Sequence, residues 1–273
     1  MTNYDDVLIK PINSTVVSSA IVSTTYPLSD SRKPLSLPLM ARIGGQHSID
    51  VCNVMSQTGI IGILENLEQI QGDTDGTLKI LKSLDLWGLP VRPSDNSKDT
   101  LKAMELNPAI IEIRSGHGYS FETLKLTEEI KNRSLASGLD SLVMSGNVLT
   151  IEGANALKSA GADIIRVGNP SGEYFNSKLM GTESITAIQD CWSADAIIVA
   201  EESQLSIDYL IKALVAGADL YLIKYLSLDI LKDYKVDIED LVENYIHYLQ
   251  TFCMDMNATT LDAMRNNSEL ILK

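Results

Sequence analysis

The feature that most limits the fold of this chain is a series of eight short apolar runs: Leu37–Ala41, Gly59–Ile63, Gly88–Val91, Ala109–Ile113, Ser141–Ser145, Asp163–Val167, Ala196–Ala200 and Leu220–Ile223. Each holds four or five residues, rich in Leu or β-branched types, with charged neighbours outside. Continuous apolar runs of this length suit parallel strands buried on both faces, because a half-exposed strand would alternate. Between them, Ile49–Gln57, Thr74–Ser83, Lys98–Leu106, Ser120–Arg133, Thr150–Ser159, Glu183–Asp190 and Ser206–Val215 carry apolar residues at helical spacing. Two of these segments end alike, in Ser159-Ala160-Gly161-Ala162-Asp163 and Val215-Ala216-Gly217-Ala218-Asp219. In each, the glycine can take the positive φ that stops a helix before the next strand. Eight strands with intervening helices is the count for a closed barrel, so the expected fold is α/β, a (β/α)8 TIM barrel. A doubly wound open sheet is the alternative. Asp237–Phe252 and Leu261–Asn266 read as two further amphipathic helices.

The chain has 273 residues, which fits one barrel and leaves little over. No linker rich in Gly, Ser and Pro interrupts it, so residues 1–273 are expected to form a single domain. The formal net charge of −14 argues against nucleic acid and anionic membrane surfaces as partners, since both recruit Lys and Arg. Three widely spaced cysteines, Cys52, Cys191 and Cys253, suit reduced thiols, and the expected location is cytoplasmic. The first 25 residues hold Asp5 and Asp6 and no long apolar run, so neither a signal peptide nor a membrane span is expected. No His/Glu pair has metal-ligand spacing, and neither a Walker loop nor a Ser-His-Asp pattern is present.

Several segments, in order, carry a family likeness. They are Tyr4-Asp5-Asp6-Val7-Leu8-Ile9-Lys10-Pro11 with Ser14-Thr15-Val16, and Ser145-Gly146-Asn147-Val148. They continue with Gly161 to Gly168, Thr186-Ala187-Ile188 with Cys191, Ala213 to Asp219, and Met254 to Leu270 with Ala258-Thr259-Thr260-Leu261. Together these resemble the inosine-monophosphate dehydrogenase and guanosine-monophosphate reductase family. The gap between Ile63 and Ala109 is too short for a regulatory cystathionine-synthase-type module, and with Gly118-Tyr119-Ser120 this is closer to the reductase branch.

The resemblance implies a chemistry that this sequence has lost the means to perform. In the family, a cysteine thiolate on the loop after the sixth strand attacks C2 of the purine, and a hydride passes to or from a nicotinamide cofactor. Here the loop reads Gly168-Asn169-Pro170-Ser171-Gly172-Glu173-Tyr174-Phe175, which puts Phe175 at the cysteine position. Cys191 lies in the following helix, where a packed thiol is the expectation. The family's three phosphate-holding turns are altered at Glu173 beside Gly172, at Glu201-Glu202-Ser203 and at Lys224-Tyr225. The added carboxylates would repel a phosphate, Lys224 can offset one of them, and Glu201 is placed to accept a ribose hydroxyl. Between Leu226 and Asp237 too little chain remains for the family's mobile flap.

On the cofactor side, Arg114 replaces an Asp, whereas Ser115-Gly116-His117-Gly118 survives. Gly44-Gly45-Gln46 followed by His47 stands where the family has Met-Asp-Thr. The resemblance therefore implies ligand contacts at Asn147, Gly172, Glu173, Glu201, Glu202 and Lys224, and cofactor contacts at Ser115, His117 and Gly118. It implies NAD(P) only if activity remains. The expected role is a barrel inactive in the parent reaction, acting as a nucleotide-like ligand binder or as a partner subunit of a mixed oligomer, and the expected assembly is a homo- or hetero-oligomer, the latter with an active family relative. The alternatives are a nicotinamide-dependent oxidoreductase without a covalent intermediate, and a structural or inhibitory protein with no small ligand.

Overall fold

The computed structural model describes residues 2–45, 47–66, 76–95, 97–168, 181–226 and 233–273, without the side chains of Asp99 and Tyr234. Eight parallel strands close into a barrel: β2 (Leu39–Ile43), β3 (Ile61–Leu64), β4 (Trp87–Val91), β5 (Ile110–Ile113), β6 (Leu142–Val148), β7 (Ile164–Val167), β8 (Ile197–Glu202) and β9 (Leu220–Leu226). They neighbour one another in chain order, and β9 closes the ring on β2 with Leu39 opposite Tyr221. All eight apolar runs thus become strands of a (β/α)8 barrel, and the open-sheet alternative falls.

Helices join the strands: α1 (Ser48–Thr58), α2 (Gly76–Ser83), α3 (Ser97–Met104), α4 (Phe121–Ala136), α5 (Ile151–Ser159), α6 (Ser184–Cys191) and α7 (Ile207–Ala216). Local chemistry sets where several of them begin. Ser120, Thr150 and Ser206 stand at N-caps, where their side-chain oxygens accept from the backbone N–H groups of Thr123, Gly153 and Tyr209. The long α8 (Tyr234–Asp255) begins three residues before the expected Asp237, because Asp233 caps it through Lys235 and Val236. It is followed by α9 (Leu261–Asn267).

The repeated Ala-Gly-Ala-Asp unit does the same work twice. Gly161 and Gly217 take φ of +98° and +121°, and the residue after next starts the new strand's neighbourhood. Asp163 Oδ2 accepts from Val143 N at 2.8 Å, and Asp219 Oδ2 accepts from Ile198 N at 2.8 Å. Each aspartate thereby ties the bottom of its strand to the previous one, and each also pairs with a cation, Lys131 or Arg265.

One pairing was not visible in the sequence. β1 (Val7–Ile9) runs antiparallel to β10 (Leu270–Leu272), with Val7 opposite Leu272, so the two ends of the described chain lie together. Three-residue strands contributed by distant segments leave no periodic signal.

Packing divides into two shells. Met40, Ile61, Ile63, Ile110, Met144, Ile164, Val199, Leu220 and Leu222 fill the barrel, while a larger cluster packs the strands' outer faces against the helices. Because side chains alternate along a strand, the residue two positions beyond each inward apolar residue also points inward. That step carries the barrel from its apolar floor to its mouth.

Candidate functional site: a buried ion quartet at the mouth of the barrel

Counting two residues up from the interior layer gives Arg42 after Met40, Glu112 after Ile110, Arg166 after Ile164, Glu201 after Val199 and Lys224 after Leu222. Five of the eight strands therefore place a charge at the C-terminal end of the barrel, the end where TIM barrels hold their chemistry. Glu112 is fully buried, and Arg166, Arg42 and Glu201 are only 2%, 6% and 6% exposed.

Four of these side chains form a closed set. Arg42 Nε donates to Glu112 Oε1 at 2.9 Å, and Arg42 Nη2 donates to Glu201 Oε2 at 2.7 Å. Arg166 Nη1 lies 2.9 Å from Glu201 Oε2 and 3.0 Å from Glu112 Oε1. The second terminal nitrogen of Arg166 donates to the carbonyls of Ile113 and Gly146, each at 2.8 Å. Two arginines and two glutamates cancel, which is the condition for burying charge at this depth. Arg114 joins from above, with Nε and Nη2 on Glu112 Oε2 at 3.2 and 3.1 Å. Its Nη1 and the Nη2 of Arg92 both donate to the Glu65 carbonyl at 2.6 Å.

The electrostatics follow from this crowding. Burial pushes the Glu112 carboxyl up, but Arg42, Arg114 and Arg166 together override it and hold it well below the usual carboxylate range. Burial likewise raises Glu201, and Arg166 and Arg42 bring it down to about 2. Burial lowers the Arg114 guanidinium, Glu112 raises it, and Arg42, Arg166 and Arg92 lower it further. It remains charged at neutral pH, as arginines do. At neutral pH the quartet therefore holds fixed charges and offers neither a proton donor nor a proton acceptor for catalysis.

The residues singled out from the sequence fall into three groups. Asn147, Ser115, Glu201, Lys224 and Arg114 come together with Arg42, Glu65, Arg166 and Tyr225 around a cleft of about 200 Å³ at the mouth. Glu201 differs from its expected role: its Oε2 accepts from two arginines, so it serves the quartet rather than standing ready for a ribose hydroxyl. Lys224 offsets it, with Nζ 3.8 Å from Glu201 Oε1.

A second group sits at the rim. Glu202 alternates to the outer face, where its carboxyl, raised by burial, bonds Ser184. It is therefore not a second carboxylate inside the cleft, a correction that strand alternation explains. His117 is exposed, and its Nδ1 accepts from Tyr119 N at 3.0 Å. Gly118 is a close-approach glycine: its N–H donates to Asn147 O, and a Cβ there would lie 2.4 Å from that oxygen. Ser115 of the first group accepts through Oγ from Thr123 Oγ1 at 2.7 Å near the start of α4.

The third group, Gly172, Glu173 and Phe175, lies outside the described residues, as does Gln46. His47 is 3.8 Å from Asp50 on the exposed start of α1. All three cysteines are buried and unbridged. Burial raises each thiol, Cys191 and Cys253 to about 12, so none of them is a thiolate near neutral pH. Among the described residues no group of three His, Cys, Asp or Glu side chains is arranged to hold a metal ion. No described helix is long and apolar enough to cross a membrane.

Arg42, Glu112 and Arg166 were not foreseen as site residues. The signal was present, a single charge set inside an apolar run: Met40-Ala41-Arg42-Ile43, Ile110-Ile111-Glu112-Ile113 and Ile164-Ile165-Arg166-Val167. Charge in this chain thus lies within the strands as well as beside them, because opposite charges from different strands meet in the lumen.

Comparison with known proteins agrees with this architecture. The model of the IMP dehydrogenase / GMP reductase domain matches residues 1–226. The inosine-5'-monophosphate dehydrogenase of Aquifex aeolicus is 32% identical over 139 residues, 48% of this chain and 28% of that protein. Its counterpart in Borreliella burgdorferi is 33% identical over 121 residues, 42% of this chain and 29% of that protein. The Helicobacter pylori protein is 25% identical over 218 residues, 74% of this chain and 43% of that protein. The matched stretches thus span less than half the length of these relatives. With its eight-stranded barrel and the match over residues 1–226, the chain belongs to the IMP dehydrogenase / GMP reductase domain family.

Proposed function

We propose that this chain is a divergent family barrel that no longer performs the parent hydride-transfer reaction and acts as a ligand-binding or partner subunit. The observation that carries this reading is the Arg42–Glu112–Arg166–Glu201 quartet. It occupies the lumen at the strand ends with groups that are neither nucleophilic nor proton-exchanging at neutral pH. The alignment that puts Phe175 in place of the catalytic cysteine, and the burial of all three cysteines, support it. A partner role is supported by exposed apolar side chains, among them Val17, Ile21 and Leu272 at 92%, 61% and 72% exposure.

The test is turnover of oxidised or reduced nicotinamide cofactor by the purified protein, with inosine or guanosine monophosphate as substrate. No turnover is expected, and a measurable rate that disappears in Asn147→Ala or His117→Ala would overturn the reading. Such a rate would instead establish the second reading, an oxidoreductase on a purine-type nucleotide without a covalent cysteine intermediate. The packing of Gly118 on the Gly146–Asn147 backbone, which keeps the Ser115–Gly118 segment at the mouth, favours that alternative. For the partner role, co-expression with an active family member is expected to yield a mixed oligomer by native mass spectrometry.

A further inference from the structure

The cleft above the quartet is positively charged in a chain of net charge −14. Counting its lining and Glu112 beneath it, the cations Arg42, Arg114, Arg166 and Lys224 face the carboxylates Glu65, Glu112 and Glu201. One net positive charge is left over. The quartet is neutral within itself, so the excess resides on Arg114 and Lys224, which Glu65 opposes from beside Gly44. Arg114 uses three of its five N–H groups on Glu112 and the Glu65 carbonyl, and two remain. The Lys224 ammonium is too far from Glu201 for a hydrogen bond, at 3.8 Å.

A second observation points to a ligand. Asn147 lines the same cleft and is 5% exposed, and its Nδ2 has no acceptor among the described residues. A buried donor without an acceptor is rare and calls for an explanation.

We propose that this cleft binds a compact monocarboxylate, held by Arg114, Lys224 and the Asn147 amide. The proposal rests on the reading that the barrel has left its parent reaction, and it names the ligand class of that same site. Three features favour a carboxylate. Its single charge matches the single excess charge of the cleft, whereas a phosphate monoester at about −1.5 to −2 would leave negative charge beside Glu201 and Glu65. Its planar pair of oxygens matches a guanidinium fork and an amide donor. The cleft of about 200 Å³ lies below the roughly 300 Å³ where clefts for larger ligands begin.

The experiment is isothermal titration calorimetry on the full chain with acetate, pyruvate and inorganic phosphate as separate probes, in sodium chloride at matched ionic strength. A thermal-shift series with the same probes gives a second readout. At least one carboxylate is expected to bind, more tightly than phosphate. Lys224→Gln is expected to weaken that binding about tenfold or more, and Lys224→Arg to retain it. Lys125→Gln, on the exposed face of α4, serves as the remote control and leaves binding unchanged. Asn147→Asp is the second variant, which places a carboxylate against the ligand and abolishes binding. Phosphate binding more tightly than either carboxylate overturns the proposal, as does silence of both readouts or unaltered affinity in Lys224→Gln. The turnover assay is run on the same preparation. Turnover defeats the functional reading, whereas missing carboxylate binding without turnover defeats this proposal alone.

Discussion

Arg42 on β2 reaches across the barrel lumen to Glu112 on β5, its Nε donating to Glu112 Oε1 at 2.9 Å. Neither residue adjoins the other in the strand order, so only barrel closure brings them together. Glu112 also meets Arg114 and Arg166 and is the common partner of three cations. Among the described residues, removing it leaves Arg42 and Arg166 sharing Glu201 and Arg114 without its ion-pair partner, whereas removing Arg42 leaves both glutamates still paired. Glu112→Ala is therefore expected to destabilise the fold by about 3–5 kcal/mol and Arg42→Ala by less. The double variant should cost less than the sum of the two, because the residues share one network. Urea unfolding midpoints of the three variants check this order.

Acid stability is expected to follow the same carboxylates. A carboxyl lowered in the folded state binds fewer protons folded than unfolded. Its contribution is fully present above the unfolded value of ~4.3. It is lost as pH falls toward the folded value, about 2 for Glu201 and lower for Glu112. Unfolding free energy measured from neutral pH down to about pH 3 should therefore decline steadily below the ordinary carboxylate range. Glu201→Gln should flatten that decline while lowering stability at neutral pH. A wild-type profile that stays level over this interval would contradict the assignment.

The repeated aspartates give a third expectation. Asp163→Ala leaves the Val143 N–H without its side-chain acceptor and frees Lys131. The ion pair is partly exposed and contributes little, so the buried backbone donor decides the magnitude, about 1–3 kcal/mol. Asp163→Asn keeps an acceptor oxygen and should cost less. Asp219→Ala and Asp219→Asn should repeat the pattern through Ile198 and Arg265. Equal losses for Ala and Asn would show that charge rather than the backbone hydrogen bond matters.

Restoring a thiol is not expected to restore the parent reaction. Phe175→Cys returns the nucleophile indicated by the alignment, but Arg42 and Glu112 still fill the lumen at the strand ends. Cofactor turnover with purine monophosphates should stay at background in that variant. A rate appearing on this single change would show that the quartet does not block the site.

The native thiols should be silent. Cys52, Cys191 and Cys253 are fully buried, and burial alone or chiefly raises each of them. A chromogenic disulfide reagent is expected to label none of them in the folded protein at neutral pH and all three in denaturant. Rapid labelling of Cys191 in the folded state would contradict its packed position on α6.

The sequence by itself determined the barrel. Eight apolar runs, their helical connections and the two Ala-Gly-Ala-Asp stops are local signals, since each run must be buried on both faces and each helix must end where glycine permits. It also showed that the residues of the parent chemistry had changed, because Phe175, Lys224 and Arg114 differ in kind from what that chemistry requires. What it did not show was where the replaced charges go. Glu201 and Glu202 are neighbours in the chain, yet strand alternation sends one into the lumen and the other to the outer face. Arg42, Glu112 and Arg166 read as isolated charges in apolar strands until ring closure sets them within hydrogen-bond reach. A charge on one strand is tolerable in the lumen only if a partner arrives from another, and that depends on register and closure, which only the tertiary structure decides.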